Sequence, residues 1–214
     1  MLFQLDRGMS KYILKTIMKY FKTVYSENLW NNSESVSGEG STIKCSGPYI
    51  LFLQNFVKEK SIKSILDLGC GDFNLMRHFD FTGINYLGID LIEPLIDKNN
   101  QTYKSNNIRF ECGIIHDYGF TDHYDLILCK DVLQHWSNHS VQQFLKLLKN
   151  YNYSILTNDY SNNNYNNKTH NVNILDSEYT VVDLTAEPYN LKGDCIFEWN
   201  ACGVLKRSFL LKTE

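Results

Sequence analysis

No uncharged apolar run in these 214 residues approaches the ~18 needed to cross a bilayer, which excludes a membrane-spanning helix. No secretory leader is expected: Asp6 and Arg7 interrupt the first apolar residues, and Lys11, Lys15, Lys19 and Lys22 punctuate the stretch after them. The four N-x-[ST] matches, at Asn31, Asn138, Asn152 and Asn167, are therefore read as chance matches in an Asn-rich chain. Beyond the N-terminal lysines there is no basic block, and the net charge is −3, which disfavours a non-specific nucleic-acid binder. The six cysteines, Cys45, Cys70, Cys112, Cys129, Cys195 and Cys202, contain no C-x-x-C pair. Buried free thiols in a reducing, cytoplasmic setting are expected, in preference to disulfides or zinc.

What is present fits one globular unit: 43% hydrophobic and 21% charged residues in a chain long enough to bury a core. Residues 10–25 read as an amphipathic helix, with Ile17, Tyr20, Phe21 and Val24 at helical spacing. Packing on the edge of the domain is favoured over membrane-surface binding. Residues 31–47 look too hydrophilic for core, and Pro48 suits the first turn of a helix running to about Lys60. We therefore expect an N-terminal helix and cover segment over residues 1–47 and a main domain over 48–214. From residue 61 short apolar runs (62–68, 85–90, 108–112, 124–129, 153–157) alternate with helical stretches (73–79, 93–105, 140–150). Such alternation implies an α/β fold: a doubly wound, mostly parallel sheet with helices on both faces. Residues 195–199 and 204–211 flank Asn200-Ala-Cys-Gly203 and predict a closing antiparallel hairpin. The Asn-rich run at 161–167 predicts a mobile loop, and residues 159–194 are poorly patterned.

The chemistry starts at Asp67-Leu-Gly69-Cys70-Gly71-Asp72, where a strand leads through a glycine turn into a predicted helix. Small residues let the backbone approach a ligand, and a helix start offers free N–H groups. In a doubly wound sheet this first turn faces the ligand crevice. A dinucleotide fingerprint requires a third glycine; here Asn74 stands in its place, and Asp72 would repel a pyrophosphate. The ligand should be less anionic. S-adenosylmethionine qualifies, with its sulfonium and α-amino group suited to Asp67 or Asp72. Asp90 closes the second strand nineteen residues after Gly71. Alone it is as readily a helix cap; paired with the glycine turn, a carboxylate accepting both ribose hydroxyls is favoured.

Together Ile65-Leu-Asp-Leu-Gly-Cys-Gly-Asp72, Tyr86-Leu-Gly-Ile-Asp90, Tyr124-Asp-Leu-Ile-Leu-Cys129 and the terminal hairpin resemble the class I S-adenosylmethionine-dependent methyltransferases. The resemblance covers about residue 48 to the C-terminus. It implies a seven-stranded sheet with a reversed last strand and S-adenosyl-L-methionine as cofactor. It places Asp67, Gly69, Cys70, Gly71, Asp72, Asp90, Leu91, Gly113, Ile114 and Lys130 around that cofactor. Many members carry an acid after the third strand for the adenine amine. This chain has Cys112-Gly-Ile-Ile-His116-Asp117 there, so backbone is left as a possible adenine contact.

A narrower resemblance joins Ser37-Gly-Glu-Gly-Ser41, Cys70-Gly-Asp-Phe-Asn-Leu-Met76 and Cys129-Lys-Asp-Val-Leu-Gln-His135 to small bacterial and viral methyltransferases reading S-G-x-G-S, C-G-D-F-N-W-M and C-R-D-x-L-x-H. Relatives in glycan-building systems methylate sugar hydroxyls. The resemblance implies that Ser37, Gly38, Gly40 and Ser41 cover the active site; composition fits a flexible linker equally well. Removal of a hydroxyl proton during methyl transfer suits a neutral imidazole, so His135 is the candidate base. Asp131, four residues earlier, would share a helical face and orient it. His135 as a packing or substrate-binding residue, and Asp131 as a cap, remain open. Asp131 with Asp159 could hold a divalent metal, but two carboxylates are too few to assign one. Ser41, Asn74, Asp159 and Tyr160 are the candidate acceptor contacts. Lys130-Asp131-Val-Leu, where base N-methylating enzymes often carry N-P-P-Y, argues against a nucleobase acceptor. The expected partner is a small molecule or glycan, with no nucleic acid. A protein or RNA methyltransferase and a non-catalytic module are the rivals.

Overall fold

The computed structural model describes residues 11–115, 123–162 and 169–212. His116, Asp117 and positions 163–167 of the Asn-rich run lie outside them. Seven strands form one sheet: β1 (Ser64–Leu68), β2 (Asn85–Asp90), β3 (Ile108–Cys112), β4 (Leu126–Lys130), β5 (Tyr153–Asn162), β6 (Asp194–Ala201) and β7 (Val204–Lys212). Their order is β3-β2-β1-β4-β5-β7-β6. Strands β1 to β5 run parallel, and β7 lies antiparallel to both β5 and β6. The order reverses between β1 and β4, so a crevice opens beyond Leu68 and Lys130, where doubly wound sheets take their ligands.

The central strands are apolar without alternation because both faces are covered. Ile65 packs with Tyr49, Leu53 and Phe56 of α2 (Ile43–Glu59) on one face. Leu66 and Leu68 pack with Val141, Phe144 and Leu145 of α4 (Asn138–Leu147) on the other. Helix α3 (Glu93–Tyr103) follows β2, and its buried Asn99 donates to the Gly71 carbonyl at 2.8 Å. Helix α1 (Lys11–Ser26) buries Ile17 and Val24. No helix among the described residues is long and apolar enough to cross a membrane.

Several expectations need correcting. Helix α2 begins at Ile43, not Pro48, because the Thr42 side chain caps it by accepting the Cys45 N–H at 3.3 Å. Pro48 sits inside the helix, and Gly47 before it has no Cβ to press on the proline ring. The helix expected over 73–79 is a single tight turn, Met76–His78. Phe73 adopts φ +60° and buries its ring against Phe81, Tyr86, Tyr103 and Phe110, which turns the chain out of helical register. Strand β5 runs five residues past its expected end at Thr157, because β7 pairs with it as far as Asn162.

The polar stretch at 31–47 is not a solvated spacer: Ser35, Thr42, Cys45 and Ser46 are buried. Cys45 and Cys202 form a disulfide, contrary to the expectation of free thiols throughout. The start of α2 lies over the β6–β7 turn, and this brings their Cα atoms to 5.2 Å. Cys202 and Gly203 both have positive φ, 53° and 94°, the pattern of a two-residue hairpin turn.

Candidate active site

Beyond the ends of β1 and β4 lies a cavity of about 610 Å³. Its floor is the glycine turn. Gly69 has φ +81°, and a Cβ there would come within 2.3 Å of Val132 Cγ2. Gly71 has φ +56°, and a Cβ there would come within 2.4 Å of Ser37 Oγ. Both positions require glycine. The expected free N–H groups of a helix start are absent from this turn. Gly69 and Cys70 donate to the Ile89 carbonyl, Gly71 to Asp90 at 3.1 Å, and Asp72 to Ser37 Oγ at 2.9 Å. The turn therefore offers a ligand close approach to its backbone more than donors.

Asp90 lines the cavity from the end of β2, with Leu91, Gly113 and Ile114 beside it. Its two oxygens accept the N–H groups of Gly71 and Ile92. Burial outweighs these bonds and pushes its carboxyl up to about 6. It is not the cap of α3, whose N-cap is Ile92.

Three sequence candidates turn away from the cavity. Asp67, within β1, is outside the cavity lining; the Tyr86 hydroxyl donates to it at 2.6 Å and burial raises its carboxyl to about 6. Asp72 accepts the Ser35 hydroxyl at 2.9 Å and the Val36 N–H at 2.9 Å. Asn74 donates to Glu34 and to the Ser41 carbonyl, each at 2.9 Å. Asp72 and Asn74 thus hold the cover segment down, a use that the sequence pattern did not separate from ligand contact. Tyr160 leaves the site as well: its ring stacks 3.4 Å under the Arg207 guanidinium, beside a separate small cleft.

On the opposite wall stand Ser41, Lys130, Asp131, His135 and Asp159. His135 closes a tight turn, Leu133–His135, and its Nδ1–H donates to the Glu178 carbonyl at 2.9 Å. That bond leaves Nε2 as an acceptor. Loss of solvent lowers the imidazole's affinity for a proton, against the pull of the Glu178 carbonyl and Asp131. Phe21, Trp30 and Tyr179 surround it, with ring centroids at 5.9, 6.4 and 5.9 Å. Asp131 does not orient His135 as the four-residue spacing suggested. It has φ +59°, outside any helix, and binds Lys130 and Lys206. Lys206 also binds Asp159, so an ammonium occupies the place between the two carboxylates where a divalent metal was considered.

Lys206, Glu178, Tyr179, Phe21 and Trp30 were not read from the sequence as site residues. The nearest signal was the helical spacing of Phe21. The segment carrying Glu178 and Tyr179 is latched to the His135 turn by Ser177 N–H to the His135 carbonyl and Thr180 N–H to the Gln134 carbonyl.

Residues 65–152 match a family model described as a methyltransferase domain. Two ubiquinone biosynthesis O-methyltransferases are similar in sequence. That of Rickettsia canadensis (strain McKiel) is 27% identical over 144 residues, 64% of this chain and 58% of that protein. That of Rickettsia akari (strain Hartford) is 28% identical over 145 residues, 64% and 55%. The matched part thus spans little more than half the length of these relatives. Among solved structures, magnesium protoporphyrin IX methyltransferase from Synechocystis PCC 6803 with bound SAH superposes with TM-score 0.67 at 11% identity, covering 94% of this chain and all of that one. The 1,6-didemethyltoxoflavin-N1-methyltransferase of Burkholderia thailandensis, bound to its acceptor and S-adenosylhomocysteine, gives TM-score 0.67 at 14% identity, covering 98% and 94%. The fold is that of the class I S-adenosylmethionine-dependent methyltransferases. Family match and fold together support S-adenosyl-L-methionine as the cofactor.

Proposed function

We propose that this chain, with its methyltransferase domain on a class I fold, is an O-methyltransferase acting on a small polyhydroxylated acceptor, a sugar or glycan hydroxyl. One observation carries the reading. The cavity that holds the glycine turn and Asp90 also holds an imidazole whose Nδ1–H is tied to a carbonyl and whose Nε2 is left to accept a proton.

The residues present fit the cofactor. Gly69 and Gly71 lack the Cβ atoms that would block close approach, and Asp90 keeps acceptor capacity beyond its two backbone bonds. Asp90 would take the ribose hydroxyls, with Cys70, Leu91, Gly113 and Ile114 forming the apolar walls. S-adenosylmethionine supplies the methyl group as an electrophile when bound.

The chain's own residues do the rest. His135 Nε2 accepts the acceptor's hydroxyl proton as the oxygen becomes the nucleophile. The Glu178 carbonyl holds the ring in the tautomer that makes this possible. Phe21, Trp30 and Tyr179 offer flat apolar faces for the C–H side of a sugar ring. Asp131 and Asp159 retain lone pairs for neighbouring hydroxyls. Helix α1 and the cover segment line the cavity from above, which suits a small acceptor and limits water.

The test is a screen of nucleotide sugars and glycosides for a gain of one methyl mass, with His135→Ala as control. Turnover should fall at least a hundredfold in that variant while S-adenosylhomocysteine affinity, by calorimetry, stays within about twofold. Full turnover in His135→Ala with an unchanged pH profile would remove the base assignment. Absence of S-adenosylhomocysteine binding by the wild type would instead favour a non-catalytic module. The three rings around His135 also suit a phenolic acceptor, as do relatives named for ubiquinone biosynthesis. Catechols therefore belong in the same screen.

A further inference from the structure

Lys206 is almost wholly buried, at 2% exposure, yet its ammonium reaches the cavity wall. In the β5–β7 register it lies directly opposite Asp159. It donates to Asp131 Oδ1 at 2.7 Å and to Asp159 Oδ1. The outer oxygens have other donors: Lys130 for Asp131 Oδ2, and the Tyr179 hydroxyl, at 2.8 Å, for Asp159 Oδ2. Lys130 also donates to the Gly40 carbonyl of the cover at 2.9 Å. Two carboxylates and two ammoniums thus balance in one buried network. Tyr179 connects it to the base, since its hydroxyl holds Asp159 while its ring lies against His135.

We propose that Lys206 is a positioning residue for the transfer: its ammonium joins Asp131 and Asp159 into one charge-balanced acceptor floor beside the His135 imidazole. This rests on the reading of His135 as base. Burying an ammonium is costly unless it is paired, and a methionine would fill the same space more cheaply. What an ammonium adds is charge. Without it the floor keeps two carboxylates against Lys130 alone, and a net negative charge beside an imidazole favours its protonation. Asp131 and Asp159 do pull a proton toward His135, and Lys206 opposes them.

The other acidic groups near the imidazole are Asp176, Glu178 and Glu39. Asp176 accepts Ser137 N–H and the Ser140 hydroxyl. The Glu178 carboxylate accepts Leu175 N–H. Helix α1 brings Tyr20, Phe21 and Tyr25 to the cavity, and Glu39 lies on its cover side. Lys206 is therefore the cation whose removal leaves the pull of Asp131 and Asp159 on His135 unopposed on that side.

The experiment is an NMR titration of the His135 imidazole in the full chain saturated with S-adenosylhomocysteine, comparing wild type, Lys206→Met, Asp159→Asn and the double variant. Lys206→Met should raise the imidazole midpoint by about one pH unit. Asp159→Asn should lower it, and the double variant should return toward wild type. An unchanged midpoint in Lys206→Met that still binds S-adenosylhomocysteine overturns the proposal. Should Lys206→Met fail to fold, Asp159→Asn and the double variant decide: a midpoint that does not fall in Asp159→Asn, or does not recover in the double variant, overturns it equally. The titration needs no acceptor and no turnover. A shifted midpoint together with full activity in His135→Ala would keep the clamp and discard only the base.

Discussion

Asp90 meets two opposed demands. Its buried position favours the protonated carboxyl, which it holds up to about pH 6, while the ribose contact proposed for it requires the ionised form as acceptor. The linkage has a definite sign. A carboxyl whose folded-state value is raised binds more protons in the folded than in the unfolded chain between its ordinary value and about 6. Stability from Asp90, and from Asp67, which is raised to a similar value, is therefore full below the ordinary carboxylate range and declines as pH rises toward 6. Cofactor binding should reverse the preference at Asp90 by stabilising the anion, so binding near pH 5.5–6 should release a proton. Calorimetry with S-adenosylhomocysteine in two buffers of different ionisation enthalpy measures this directly. Proton release in the wild type and none in Asp90→Asn is the expected pair. Equal release in both would place the titrating group elsewhere and take Asp90 out of the ribose contact.

The cover segment shows how an element can be polar throughout and still be packed. Glu34, Ser35, Ser37 and Thr42 spend their hydrogen bonds on the glycine turn, on Asn74 and on the start of α2. Asp72 is the anchor, accepting the Ser35 hydroxyl, the Val36 N–H and the Asn74 N–H. Asp72→Ala strands these donors, at a cost of about 1–3 kcal/mol. Faster proteolytic nicking between residues 30 and 42 should accompany a higher acceptor KM. Wild-type resistance to proteolysis in that variant would mean that the cover is held by its other bonds. The same element explains what the sequence disclosed and what it hid. Runs such as Ile65-Leu-Asp-Leu68 and Leu126-Ile-Leu-Cys129 announce buried parallel strands because hydrophobicity is a property of each residue and survives without neighbours. Gly69, Gly71 and Asp90 are legible because a turn and the next strand end fix their spacing. Mutual satisfaction of polar groups is a property of pairs far apart in sequence, and composition reads it as solvation. Lys206 was hidden for the same reason: a Lys-Arg pair in a strand signals a solvated face, while the meaning of Lys206 lies with Asp131 just beyond β4 and Asp159 on β5.

At the scale of the whole molecule, the Cys45–Cys202 bond closes a loop of 157 residues, tying the start of α2 to the turn of the last hairpin. Both ends adjoin the cavity wall: Gly40 and Ser41 on one side, Ala201 and Val204 on the other. The contact does not depend on the bond alone, since Trp199 donates its indole N–H to the Cys45 carbonyl at 3.0 Å, and Tyr49 stacks on the same indole at 5.5 Å. The two hydrophobic clusters on the sheet faces also remain when the sulfurs part. Reduction should therefore loosen the molecule without unfolding it. A loop of this length corresponds to about 5 kcal/mol in the chain-entropy account, and native disulfides commonly deliver about 2–4. For a chain of this size that is a fall in Tm of about 5–15 °C. Thiol titration of the denatured protein should count four free cysteines before reduction, Cys70, Cys112, Cys129 and Cys195, and all six of the sequence after it. A Cys45→Ser/Cys202→Ser variant should start at the lower Tm and ignore the reductant. If the wild type already shows six free thiols in the absence of reductant, the bond is absent in solution. The Trp199 hydrogen bond, the Tyr49 stack and the Phe52–Phe197 stack would then fasten the cover side of the cavity to the hairpin, and the Tm of the double variant would match that of the wild type.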